Sequence, residues 1–127
     1  MRNVKKFIFV LSVLGLSLTS ISPTYAAPEL NESQLKELFI GHTMVWKLKG
    51  DTGTILFRPN GTIHGTYDYK TDDGVYEIKK NGQYCRKWRN WSGGELSCYV
   101  VIKNKDSYVA KLKSGISSAS VPFTMKK

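Results

Sequence analysis

The residues of this chain with the strongest chemical potential sit close together. Gln83 to Val100 holds both cysteines, Cys85 and Cys98, two of the three tryptophans and the densest basic cluster, Arg86-Lys87-Trp88-Arg89. Two cysteines can close a disulfide, ligate a metal or supply a thiol nucleophile. A metal site needs more ligands, and the only histidines, His42 and His64, lack zinc-ligand spacing to the cysteines. A thiol nucleophile needs a partner histidine and a reducing or protected setting. A structural disulfide between Cys85 and Cys98 is therefore expected, with no metal and no cofactor. Asp72 and Asp73 could do acid–base work as a pair. Beside Gly74, however, they read as turn residues capping their own backbone. His64 alternates with threonines and has no serine or cysteine nucleophile near it in sequence. Ser33, Ser92 and Ser114 have no nucleophile-elbow context. No catalytic residue is expected and the protein reads as a non-enzyme.

On a strand, Arg86 shares a face with Tyr84 and Trp88, while Lys87 and Arg89 share the other face with Cys85. This alternation splits the basic cluster and argues against a nucleic-acid patch, which needs its cations and aromatics together. An arginine facing inward beside aromatic rings can hold a carboxylate or phosphate head. The simpler alternative is an arginine at a barrel mouth with its stem packed on Trp88. Tyr84, Arg86, Trp88 and the strand residue Trp46 form the candidate ligand-binding set.

The chain start sets the compartment. Arg2, Lys5 and Lys6 precede an apolar run from Phe7 to Leu18, and small residues at Thr24 and Ala26 follow. This is the layout of a secretory signal peptide cleaved after Ala26. The run is too short for a spanning helix, which needs about 20 apolar residues. Residues 1–26 are thus expected to be removed, leaving 27–127 as one domain, periplasmic or secreted, with no transmembrane segment. An oxidising compartment fits the disulfide. The formal charge of the whole chain is +9, and loss of Arg2, Lys5 and Lys6 reduces it to +6. Such a balance favours anionic partners without naming one.

The elements that position these residues follow from pattern. Asn31 and Gln34 have capping-box spacing, Leu30 and Leu35 that of a hydrophobic staple, and Gly41 sits where a helix ends, so a short helix is expected from Glu32 to Ile40. After Gly41 the period changes to two. Strands are expected at Thr43–Lys49, Thr54–Arg58, Thr62–Tyr69, Val75–Lys79, Tyr84–Arg89, Leu96–Lys103, Ser107–Leu112 and Ile116–Thr124. Turns are expected at Gly50 to Gly53, Pro59 to Gly61, Asp72 to Gly74, Asn81-Gly82, Trp91 to Gly94, Lys105-Asp106 and Ser114-Gly115. The fold class is mainly β: an antiparallel meander of about eight short strands forming a small lipocalin-like or partly open barrel, with one short N-terminal helix. The small polar tail Ser117 to Ser120 suggests an open edge. Cys98 shares a face with apolar Leu96, Val100 and Ile102, but Cys85 shares one with Lys87 and Arg89. The pattern leaves open whether a glycine bulge at Gly93-Gly94 shifts the phase or the sheet buries both faces.

The order Gly41…Trp46…Gly61…Gly74…Gly82-Gln83-Tyr84-Cys85-Arg86-Lys87-Trp88…Cys98-Tyr99…Tyr108 resembles a family of small exported bacterial proteins of unknown function. In that family a G-x-Y/L-C-x-x-W element precedes a second cysteine–aromatic pair. The resemblance covers about Phe39 to Lys111. It departs at Gly74-Val75-Tyr76, where the family often has Gly-x-Trp. The resemblance implies periplasmic or secreted location and a β-rich fold, and no reaction.

The resulting expectation is an exported small barrel that binds a small ligand or an anionic cell-envelope component. The alternative is a periplasmic inhibitor of an enzyme, of the lysozyme-inhibitor kind. Common lysozymes are basic and would repel a protein of charge +6, so an acidic enzyme is the better target under that alternative.

Overall fold

The computed structural model describes residues 28–127; the expected signal peptide, 1–26, lies outside the described residues. A helix, α1 (Glu32–Phe39), is followed by eight strands: β1 (Thr43–Leu48), β2 (Asp51–Phe57), β3 (Thr62–Tyr67), β4 (Lys70–Ile78), β5 (Tyr84–Trp88), β6 (Leu96–Asn104), β7 (Ser107–Ser114) and β8 (Ser120–Lys126). Each strand pairs antiparallel with the next, and β1 pairs with β8, so the meander closes into a barrel. Closure removes the open edge that the polar tail suggested. The closing seam is short: only Thr43 to Trp46 are matched to Phe123 to Lys126.

α1 begins as the sequence requires. The Gln34 amide donates to Asn31 Oδ1 and the Asn31 amide donates to Gln34 Oε1, both at 2.9 Å. The two bonds satisfy orphan donors of the first turn. Leu35 and Phe39 are fully buried and close one end of the barrel. There the Phe39 ring stacks on Phe57 at 4.6 Å and also meets Tyr84 and Phe123. Met44, Ile63 and Val101 complete this filled half.

All four connections at the other end are hairpin turns or loops: Lys49-Gly50, Asp68-Tyr69, Arg89 to Glu95, and Gly115 to Ala119. Two of them correct the expected turns. The first turn is Lys49-Gly50, with φ of 52° and 86°, not Gly50 to Gly53. Asp72 to Gly74 is strand rather than turn, and the reversal occurs at Asp68-Tyr69, both with positive φ. Two-residue hairpins with positive φ at both positions match the right-handed twist of the strands. Tyr69, expected as the last residue of the third strand, stands at this tip and is fully exposed. At Asn81-Gly82 only Gly82 has positive φ. The reversal begins at Lys79, whose carbonyl accepts from the Gly82 amide.

The disulfide forms between Cys85 and Cys98, which stand directly opposite each other on β5 and β6. Closing a loop of this length stabilises the fold by about 3 kcal/mol. The Leu96, Val100 and Ile102 side of β6 faces outward; the inward residues are Ser97, Tyr99 and Val101. No bulge at Gly93-Gly94 is needed. The irregularity lies on the far side of β6, where Cys98 pairs with Ser114 but Tyr99 pairs with Leu112. Every residue from Ser97 to Val101 is buried, so the alternation that marks an inner face is hidden there.

Candidate functional site

The half of the barrel away from α1 contains a cavity of about 430 Å³. Its walls are built by pairing tryptophan with glycine. Trp46 on β1 is matched directly to Gly53 on β2, and a Cβ on Gly53 would fall inside the Trp46 indole. Trp88 on β5 is matched to Gly74 on β4. Gly65 on β3 lies under both Trp88 and Trp91, and a Cβ there would come within 2.6 Å of each ring. At Gly53 and Gly65 the missing Cβ leaves the wall thin, so indoles lie against it instead of filling the lumen. Tyr67 stacks on Trp46 with centroids 4.9 Å apart, and Trp88 and Trp91 meet at the same distance. All three tryptophans of the chain border this one space.

Arg86 borders the cavity at the level where the filled half begins. Nη1 donates to the Tyr84 hydroxyl at 3.2 Å and Nη2 donates to the Tyr99 hydroxyl at 3.0 Å. The guanidinium carbon lies 4.8 Å from the Tyr99 ring centroid and 5.8 Å from those of Tyr84 and Trp88. Nε is enclosed and has no hydrogen-bond partner, and no carboxylate pairs with Arg86 among the described residues. Burial opposes the charge, but the two tyrosines outweigh it and the net shift of the Arg86 pKa is upward. The group is a cation at every pH the protein meets. Burial pushes the Tyr84 hydroxyl up against the pull of Arg86, so it stays protonated. Three aromatic faces and two phenol oxygens thus hold a charge that aliphatic surroundings would expel.

Lys47, Lys70 and Leu48 stand at the cavity mouth, and Ser92, Ser117, Ser118 and Ser120 form its polar side. Ser117 Oγ lies 3.0 Å from Ser92 Oγ and 2.9 Å from Ser97 Oγ, tying the β5–β6 loop to the β7–β8 connection. The same loop is anchored by Asp72. Its carboxylate accepts from the amides of Asn90 and Trp91, each at 2.8 Å, and from Asn90 Nδ2 at 3.1 Å. Burial alone would raise the Asp72 pKa. The Trp91 and Asn90 amides, the Asn90 side chain and the Asp73 amide overcome this and hold it below the usual carboxylate value. Asp72 therefore acts as an ionised cap that fixes Trp91 over the cavity. The loop needs fixing, since Ser92, Gly93 and Gly94 are all at positive φ.

The candidate set expected from sequence is brought together: Trp46, Tyr84, Arg86 and Trp88 lie in or against one lumen, although Tyr84 is fully buried beneath Arg86 rather than lining it. Tyr67, Trp91, Tyr99, Asp72 and the inward glycines were missed. The signal for Trp91 was present: an indole inside a glycine-rich loop has no backbone reason to be there. Asp72 and Asp73 take different roles from the expected turn caps. Asp72 caps a neighbouring loop, and Asp73 faces out, with its Oδ1 2.8 Å from His64 Nδ1. Lys87 and Arg89 are exposed, on the side away from Arg86. A second hollow, at the α1 end, is a groove outside the core bordered by Glu37, His42, Lys103 and Asp106. Among the described residues no group of three or more His, Cys, Asp or Glu could hold a metal, and no helix is long and apolar enough to cross a membrane. The chain matches no family model, and no curated protein matches it significantly.

Proposed function

We propose that this is an exported, non-enzymatic, lipocalin-like barrel that binds a small anionic ligand, free or released from the cell envelope, in the cavity above Arg86. One observation carries the reading: a charged guanidinium inside the barrel, held by two tyrosine hydroxyls and matched by no carboxylate among the described residues, at the base of a tryptophan-walled cavity. A half-buried cation without a counter-charge is costly unless something pairs with it. The cavity volume falls within the range of about 300–1,000 Å³ usual for small-molecule sites, and its make-up, mostly apolar with a few convergent polar groups, is also typical. Binding rather than catalysis fits the bordering groups, which include no histidine, aspartate or glutamate among the described residues. The disulfide and the net charge support an exported protein with anionic partners.

Native mass spectrometry of the protein purified from its host tests this. The expected result is a retained anionic adduct that disappears in an Arg86→Ala variant whose folding is confirmed by circular dichroism. A clean apo mass under gentle conditions, or an adduct indifferent to Arg86→Ala, would remove the support.

A second reading, inhibition of a partner enzyme, draws on the mouth. Leu48, Tyr69, Leu96 and Ile116 are exposed there, four of the six exposed large hydrophobic residues among the described residues. Such a rim suits insertion against an acidic enzyme. Pull-down with envelope extract, compared with a Tyr69→Asn/Ile116→Asn variant, separates a rim contact from a lumen ligand.

A further inference from the structure

The shape of the lumen and its supply of donors narrow the ligand to a chemical class. This step rests on the anion-binding reading above. We propose that the ligand is a flat aromatic or heteroaromatic ring bearing one carboxylate, seated head-down with the carboxylate on Arg86 and the ring among Trp46, Trp88 and Trp91.

The head group follows from the floor. Of the five Arg86 N–H donors, the tyrosine hydroxyls take one from each terminal nitrogen and Nε is enclosed, which leaves one N–H on Nη1 and one on Nη2. Those that remain lie in one plane, which suits the two oxygens of a carboxylate. A phosphate monoester would bring a charge of about −1.5 to −2 at neutral pH to a single enclosed cation, leaving charge unmatched. Lys47 and Lys70 stand at the mouth rather than the floor, where they attract an anion without pairing with its head.

The body follows from the walls. Gly53 and Gly65 let the Trp46, Trp88 and Trp91 indoles lie against the barrel wall. The lumen is therefore bordered by flat π faces, which reward a flat partner in stacked or edge contact. A flexible alkyl chain uses none of this geometry and loses rotamer freedom on entry. A sugar acid also has a face that stacks on indole, but its hydroxyls need partners. The serines offer few: Ser117 is bonded to both Ser92 and Ser97, which leaves Ser118 and Ser120 as the lining hydroxyls outside that network.

Isothermal titration calorimetry on the mature disulfide-bonded protein tests the class with five probes: indole-3-acetate, its neutral isostere indole-3-acetamide, dodecanoate, glucuronate and inorganic phosphate. Indole-3-acetate is expected to bind most tightly, and the amide about tenfold or more weaker, as loss of a charge-assisted hydrogen bond requires. Tighter binding of dodecanoate, glucuronate or phosphate than of indole-3-acetate would overturn the ring-acid class and leave the anion site standing. If the acetamide bound as well as the acetate, or if no anion bound in the millimolar range, the anion site itself would fall. The amide comparison uses the unaltered protein, so it does not depend on any Arg86 variant folding.

Discussion

The two halves of this barrel use the same kind of side chain to opposite ends. In the half next to α1, Phe39, Phe57, Tyr84 and Phe123 interlock as a buried cluster, since α1 brings two apolar side chains down onto rings that already meet. In the other half Trp46, Tyr67, Trp88 and Trp91 enclose about 430 Å³. Two things make the difference. Glycines 53 and 65 sit behind the indoles, and a looped segment rather than a helix covers the opening. Aromatic content alone does not decide whether a small barrel is filled or hollow. The residues behind the rings, and what closes the end, decide it.

The largest way to break the contrast is at the filled end. Phe39→Ala removes the centre of the ring cluster and should cost about 3–5 kcal/mol, read as a lower midpoint in urea unfolding. It should leave ligand affinity at the other end nearly unchanged in protein that is still folded. At the hollow end, Gly53→Val places a branched side chain where the Trp46 indole lies, and overpacking of this kind costs about 1–3 kcal/mol. Here the ligand readout should move with stability, since the displaced indole must enter the lumen.

Asp72→Asn sharpens the comparison without adding bulk. It weakens the acceptor for Asn90 and Trp91 by about 1 kcal/mol and should expose Trp91 to acrylamide quenching. Its pH signature is directional. The folded-state pKa of Asp72 is depressed, so its contribution to stability is fully present above the ordinary carboxylate value. That contribution is lost as pH falls through that value and down through the folded one. Wild-type quenching of Trp91 should therefore rise only in that acid range, whereas the Asn variant should show raised quenching at neutral pH. The smallest effect belongs to the outer surface. The His64–Asp73 pair is largely solvent-exposed, and His64→Ala should alter the unfolding midpoint by less than about 1 kcal/mol.

Much of the fold was legible in the sequence because it depends on local chemistry. Asn31 and Gln34 announce the start of α1, and period-two runs announce eight strands. Tyr84, Arg86 and Trp88 could be placed on one face from spacing alone. The glycines misled for a physical reason. Glycine is a turn signal because it tolerates positive φ, and that is its role at Gly50 and Gly82. At Gly53 and Gly65 it is needed for its missing Cβ because indole rings lie there, and at Gly74 because the β5 backbone does; nothing local in the sequence reveals a group arriving from elsewhere. The converse error placed Asp68 and Tyr69 in a strand, since neither advertises the left-handed conformation it adopts. The inner face of β6 was hidden because burial on both sides erased its alternation. Asp72 was legible as a cap, but the backbone it caps is 18 residues further along the chain.

The short seam between β1 and β8 carries a kinetic consequence. Each of the other seven ladders joins consecutive strands and can zip from its own turn, but this one must bring together segments about 80 residues apart, with only four residues matched on each side. The loop entropy of that last step is the largest in the molecule. An intermediate arrested before it would present two unpaired strand borders to the solvent. The aggregation hazard of this protein is therefore concentrated where Thr43 to Trp46 wait for Phe123 to Lys126.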